Sequence, residues 1–444
     1  MKKATKLKRR RNEGLANRVL AGGKGKGAGA VVLCFLGCGG AVKAQQVLAP
    51  TPNFSVPAPN LRFGFEDEST ASIVPGNISL FQWGPVSVHP HVDYQFSYGT
   101  GIQATPGSPQ QTVVQTFSPG VLFTLGKNWF LDYTPTLTYY SSSQLENSVG
   151  QNVTLSGRTF YEDWALGVSQ NYTETSAPLV ETGAQTDYES YLTGLTASYR
   201  FNSSLSMDLA VNQSFTFYNQ SAVNNQQQQQ QQQQQPLQNT REWSTLDYIN
   251  YQLYSRITIG LGAGVTYDNI SGGPNQISET VLGRVTYKAT DKSTFSLHAG
   301  VQDQQYFSGG QPSLLSPVFG AAISYKAAKF TTITLDAERS VSPAAFQSQI
   351  TTTTTVSLGL NQRFFKRFNL TASGAYTTSS YGTTIAGVAV NRNDDYYSLN
   401  TRMNWAFWQR ATASVFYQYS IDMSSESQFS FSSSQEGFEI GYRF

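Results

Sequence analysis

Three residues in the segment VSVHPHVDYQF have the types and spacing for metal chemistry. His89, His91 and Asp93 fall at every second position. On an extended strand, period two puts them on one face. Two imidazoles and a carboxylate suit zinc, copper or nickel. Successive same-face positions lie about 6.6 Å apart at the backbone, which is loose for a preformed site. A polar wall is the competing reading of the same triplet. The third histidine outside the N-terminal region, His298, alternates with Ser296 and stands near Gln302. A serine, a histidine and an amide on one polar face do not make a catalytic group without a third, orienting partner. No nucleophile elbow, phosphate loop or cysteine site occurs. The residues therefore point away from an enzyme, and no cofactor is expected.

The elements that carry these residues are strands. In Arg256–Tyr267, Ile257, Ile259, Leu261, Ala263, Val265 and Tyr267 share one face, and Thr258, Gly260, Gly262, Gly264 and Thr266 the other. Similar alternation runs through LSMDLAV, FSLHAGV and YSLNTRMNW, always with Ser, Thr, Asn, Gln, Gly and a few charges opposite the apolar face. Short polar turns recur near 126–128, 202–204, 254–256, 291–293, 328–329, 366–367 and 409–410. From Asp291 onward they lie about forty residues apart, which fits two strands of about 13 residues and two connections. Counting this way predicts 18 antiparallel strands, with 16–18 allowed, starting near Val86 and ending at Phe444. A strand of about 13 residues crosses a bilayer when tilted by roughly 45°. A wet, Gly-rich opposite face suits a lumen better than a packed core. The fold class is therefore all-β: a transmembrane antiparallel up-and-down β-barrel over 86–444.

Composition agrees. Charged residues are 13 % of 444 and aromatics another 13 %, with 25 Tyr and 27 Phe. The N-terminus has a basic stretch, an apolar run from about Ala28 to Ala41, and Val42-Lys43-Ala44, the layout of a secretory signal over 1–44. Leu36-Gly37-Cys38 offers a rival lipoprotein reading. The basic run directly precedes the apolar core, which argues against nucleic-acid binding. Removing 1–44 leaves 19 basic and 27 acidic residues, a net charge of −8, and no cysteine. Residues 45–85 hold Pro50, Pro52, Pro57, Pro59, Pro75 and Pro85 and little periodicity, so an extended periplasmic segment is expected there. The run Gln226–Gln235, within 220–240, falls in an extracellular loop by hairpin parity. The other outer loops are short, and none stands out as long enough to fold inward as a constriction.

Parity also assigns the lumen wall. Asp132, Arg200, Asp208, Arg284, Asp336, Glu338, Arg363, Arg402, Glu439 and Arg443 point inward, most of them within about six positions of a short turn. They form either stiffening ion pairs or a mixed-charge collar that filters solutes.

The chain ends on Phe438-Glu439-Ile440-Gly441-Tyr442-Arg443-Phe444, with Phe438, Ile440, Tyr442 and Phe444 alternating. This resembles the terminal assembly signal of Gram-negative outer-membrane proteins, with Glu439 where the common form has Gly. The region 86–444 resembles the β-barrel porin families of that membrane. The resemblance implies a cell outer-membrane location, contact with its lipid, and insertion machinery that reads the last strand. It also implies a channel for passive diffusion of small hydrophilic solutes. An export barrel for exopolysaccharide and a structural or adhesive surface barrel remain as alternatives. A plugged or narrow lumen would count against free diffusion.

Overall fold

The computed structural model describes residues 81–126, 128–219, 237–307, 310–346, 348–365, 367–385 and 391–444. The expected signal over 1–44, the Pro-rich residues 45–80 and Gln226–Gln235 lie outside the described residues.

A short strand, β1 (Phe81–Trp83), precedes eighteen long ones. These are β2 (Val86–Thr105), β3 (Ser108–Leu125), β4 (Trp129–Tyr140), β5 (Ser148–Tyr161), β6 (Trp164–Leu179), β7 (Ala184–Arg200), β8 (Leu205–Tyr218), β9 (Thr240–Tyr254) and β10 (Ile257–Ile270), then β11 (Gln276–Thr290), β12 (Ser293–Tyr306), β13 (Leu314–Ala328), β14 (Thr331–Pro343), β15 (Gln349–Phe364), β16 (Phe368–Thr383), β17 (Asn393–Ala406), β18 (Ala411–Ser424) and β19 (Phe431–Arg443). Each pairs antiparallel with the next, and β19 returns to pair with β2, so the eighteen close into a ring. The count of eighteen and the start at Val86 agree with the expectation. β1 differs from expectation. It closes the Pro-rich segment as a strand, pairing Phe81 with Val88 and Trp83 with Val86. It occupies the same edge of β2 as β19, whose terminal Phe444 N–H donates to the Pro90 carbonyl at 2.9 Å.

Closure follows from the solvent. Lipid offers no partner to a free N–H or C=O, so a spanning sheet must have no edge. Period two then sorts the side chains. Leu261, Leu297, Leu358 and Val415 are 67, 53, 55 and 60 % exposed on the outer surface, a burden in water and an advantage in hydrocarbon. Cross-strand aromatic pairs bracket this surface. Trp164–Tyr199 and Phe368–Trp405 lie toward the end with the short turns, at 4.7 and 5.8 Å between centroids. Tyr172–Tyr191 and Tyr376–Tyr397 lie toward the other, at 4.7 and 4.8 Å. Trp164 and Tyr172 are eight residues apart on β6, about 20 Å of membrane depth at a tilt of about 40°. Two girdles at that spacing fit a membrane band. The short-turn end is the periplasmic end of such barrels.

One strand is bent on purpose. The β2–β3 register shifts between Gly99 and Ile102, and Gly101 has φ +73°. A side chain at Gly101 would be strained and would run into the Ser432 carbonyl. The bend turns the hairpin tip inward, burying Ile102 and Ala104 with Val114 and Leu145.

Outward Leu261→Arg is expected to cost about 2–4 kcal/mol in reversible unfolding from lipid, whereas Thr258→Arg, on the inward face, costs much less. Equal costs would contradict the assigned faces.

Candidate functional site

The inward face of the periplasmic half carries three polar groups. In the first, His91 Nδ1 lies 3.3 Å from Asp93 Oδ2 and its Nε2 lies 3.0 Å from Asp132 Oδ1. Thr134 Oγ1 donates to the same Asp132 oxygen at 3.4 Å. The β3–β4 ladder is interrupted between Phe117↔Leu137 and Val121↔Tyr133, the interval that holds Pro119 and Pro135. Proline has no N–H to give the ladder. Side chains take over there: Ser118 and Thr136 hydroxyls meet at 3.3 Å, beside the His91 group. Both nitrogens of His91 face carboxylates, so the ring aims no lone pair at the lumen for a metal. His89 does not join the group, and among the described residues no set of three or more His, Cys, Asp or Glu has metal-binding geometry. The geometry brings His91 and Asp93 together with Asp132 and leaves His89 outside the group.

The second group is built around Asp208. Its carboxylate accepts from Ser198 Oγ at 2.9 Å, Asn250 Nδ2 at 2.8 Å and Arg284 Nη2 at 2.6 Å. The same Arg284 nitrogen donates to Asn250 Oδ1 at 2.6 Å, and the guanidinium lies 3.9 Å from the Tyr248 ring centroid. Four strands, β7, β8, β9 and β11, are tied together across intervening β10. That span needs β10 to be flat, and Gly260, which faces Asn250 on one side and Arg284 on the other, makes it so: a Cβ there would overlap Asn250 Oδ1. In the third group Arg402 Nη1 donates to Glu439 Oε2 at 2.7 Å and to Ser414 Oγ at 3.3 Å. Arg200, Asp336, Glu338, Arg363 and Arg443 also take inward positions in the register. Ser198, Asn250, Tyr248, Thr134 and Ser414 were not singled out in the sequence, because one Ser or Asn on a polar wall looks like any other.

The outer half is different, and here the structure corrects the expectation about loops. No long loop is needed, because several short ones meet. Glu181, between β6 and β7, accepts from the Ala345 N–H, between β14 and β15, at 2.5 Å. Those two connections are eight strands apart in a ring of eighteen, so the contact crosses the mouth. Gln238 donates from Nε2 to the Ala344 carbonyl at 2.6 Å, accepts from the Ser348 N–H at 3.1 Å, and is 0 % exposed. Arg392 ties in the β16–β17 connection. It holds Asp394 with Nε and Nη2 at 3.0 and 2.5 Å, donates to the Glu181 carbonyl at 2.9 Å, and lies 3.7 Å from the Phe429 ring centroid. Phe429 itself meets Phe346 at 5.9 Å. Buried amides continue this layer down the wall, with Gln304 donating to Gln276 at 2.7 Å and Gln276 to Asp268 at 3.1 Å.

No protein-family model matches the chain, and no curated protein matches it. Among solved structures it is similar to OccK11 (OpdR) of Pseudomonas aeruginosa, with TM-score 0.39 and 9 % identity over 80 % of this chain and 96 % of that one. Pseudomonas aeruginosa OpdL gives TM-score 0.40 and 12 % identity over 80 % and 98 %. The siderophore receptor PirA of Acinetobacter baumannii gives TM-score 0.42 and 8 % identity over 80 % of each chain.

Asp208→Ala leaves Arg284, Asn250 and Ser198 without their shared acceptor and is expected to destabilise the barrel by about 1–3 kcal/mol. In a double-mutant cycle with Arg284→Ala, the combined loss should be smaller than the sum. Additive losses would show that the two side chains do not act as one group.

Proposed function

We propose that the protein is an outer-membrane channel for small hydrophilic solutes. The observation that carries this reading is the inward face of an eighteen-stranded ring that is hydroxyl-, amide- and ion-pair-lined. A barrel of this strand number has a lumen wide enough for an aqueous path. An apolar outer surface between two aromatic girdles supports a membrane location, and the alternating C-terminal strand suits outer-membrane insertion.

The wall favours uncharged solutes. A recess between β17, β18 and β19 is lined by Ser398, Asn400, Gln418, Ser420, Ser433 and Gln435 with Tyr396. Hydroxyls and amides both donate and accept, which matches sugar hydroxyls without selecting a charge. Below the recess Arg402 and Glu439 neutralise each other. The charge collar thereby acts first as bracing, with Arg284, 26 % exposed, the member of its ion pair more open to solutes. Free diffusion is restricted by the meeting of the outer loops, so passage requires that this closure give way.

Liposomes holding the purified protein at pH 8 should swell in isotonic monosaccharide faster than in a large oligosaccharide. Liposomes that do not swell in any neutral sugar would contradict the channel.

A further inference from the structure

The outer closure holds more negative than positive charge. Arg392, 3 % exposed, is the cation at its centre. Three carboxylates from three elements surround it: Glu181 on the β6–β7 connection, Asp394 on β17 and Asp422 on β18. Asp394 pairs with Arg392 directly, and Glu181 caps the Ala345 N–H. Asp422 is 1 % exposed, and neither of its carboxylate oxygens has a hydrogen-bond partner among the described residues. The remaining titratable neighbours are Tyr381, whose ring centroid lies 4.5 Å from the guanidinium, Tyr218 at the end of β8, Tyr396, which faces Asp422 across β17 and β18, and Asp395 on the outward face of β17. The tyrosines are neutral over the range that matters, and Asp395 adds to the negative side. With all three inward carboxylates ionised, one guanidinium faces three charges in a site where Asp394 and Asp422 are buried and Glu181 is part-buried.

We propose that this closure is a proton-controlled lock, shut by acid and loosened toward alkaline pH because opening returns its surplus of buried carboxylates to water. The proposal rests on the channel reading and adds a regulator to it. Buried carboxylates without matching cations favour whichever state holds the proton. When the loops part, Glu181 and Asp422 regain solvent and ionise freely. When they meet, Arg392 is already paired with Asp394, and further ionisation at Glu181 and Asp422 adds charge that no second cation matches.

The sign can be worked through for Glu181. Burial pushes its carboxyl up to about 7 from an ordinary 4.5, against the Ala345 N–H and the Arg392 guanidinium, which pull it down. The shut state thus holds a proton that the open state releases between these values. Its stability relative to the open state is lost as pH rises from 4.5 through 7 and is present below that window. From pH 8 to pH 5 this one group raises the shut-to-open ratio by roughly 10²-fold.

The test is single-channel current from the full-length protein in planar bilayers, with each variant's barrel verified by heat-modifiable mobility. Wild type should conduct at pH 8, lose most of its open time at pH 5, and recover on return. Glu181→Gln with Asp422→Asn should stay mostly shut at both pH values, and Arg392→Gln should raise open time at pH 8. Glu181→Cys with Ala345→Cys should lose current when bridged by a short bis-thiosulfonate and regain it with reductant. Current that ignores pH, or ignores the bridge, overturns the lock and leaves the channel standing. Silence at pH 8 in both wild type and Arg392→Gln overturns the channel reading and the lock with it.

Discussion

A strand in hydrocarbon cannot leave a backbone N–H or C=O unpaired, and the rest of this structure depends on that constraint. It forces eighteen strands into a ring and leaves the N-terminal strand β1 to sit end to end with β19 on one shared edge of β2. Once the ring closes, every position has one of two solvents, and a one-residue slip would exchange them along a whole strand. Leu and Val can then be exposed over half their surface without penalty, while Asp208 and Arg402 need partners in the lumen. Where proline breaks the ladder, between β3 and β4, the deficit is met by side chains rather than by a neighbouring backbone. The His91–Asp93–Asp132 group stands beside that break and links β2 to β4 across β3.

The lumen is organised in two layers with different logic. The periplasmic half is a wall, in which ion pairs and amides link strands two or three places apart in the ring and keep opposite charges together. The outer half is a contact between elements far apart in the ring. It joins Glu181 to Ala345 across the mouth and Arg392 to Glu181 from a third direction. A wall of paired charges stiffens a pore, whereas a contact of buried, unmatched charges makes a closure that solvent conditions can shift. That difference lets one barrel be stable as a scaffold and changeable at its mouth.

The scaffold was legible in the sequence because its signal is periodic. Ile257 to Tyr267 alternates without interruption, and Trp129, Trp164, Phe368 and Trp405 mark where strands meet the interface. Inward positions such as Asp208, Arg284, Arg402 and Glu439 follow from parity alone. Their partners do not. Nothing in the pattern distinguishes Asn250 from Asn400, since which amide meets Asp208 depends on strand stagger around the ring. β1 is three residues long, too short to show a period. The closure was the least legible feature, because short loops look harmless one at a time. Glu181 and Ala345 are 164 residues apart, and they meet only because the ring brings two connections eight strands apart across the mouth.

Both layers can be read by one cysteine scan, which the chain permits because its two native cysteines lie within residues 1–44. Single cysteines along β10 and β11 would be titrated in proteoliposomes with a membrane-impermeant thiol reagent and with a lipid-soluble one. The account expects strict alternation: Thr258, Gly260 and Thr286 positions react from water, and Ile259, Leu261 and Val285 positions react only from lipid. It also expects inward positions near the outer end, such as Gln276, to be protected while the mouth is shut. Uniform reactivity along both strands, or water access at the Leu261 position, would contradict the membrane barrel and its polar lumen.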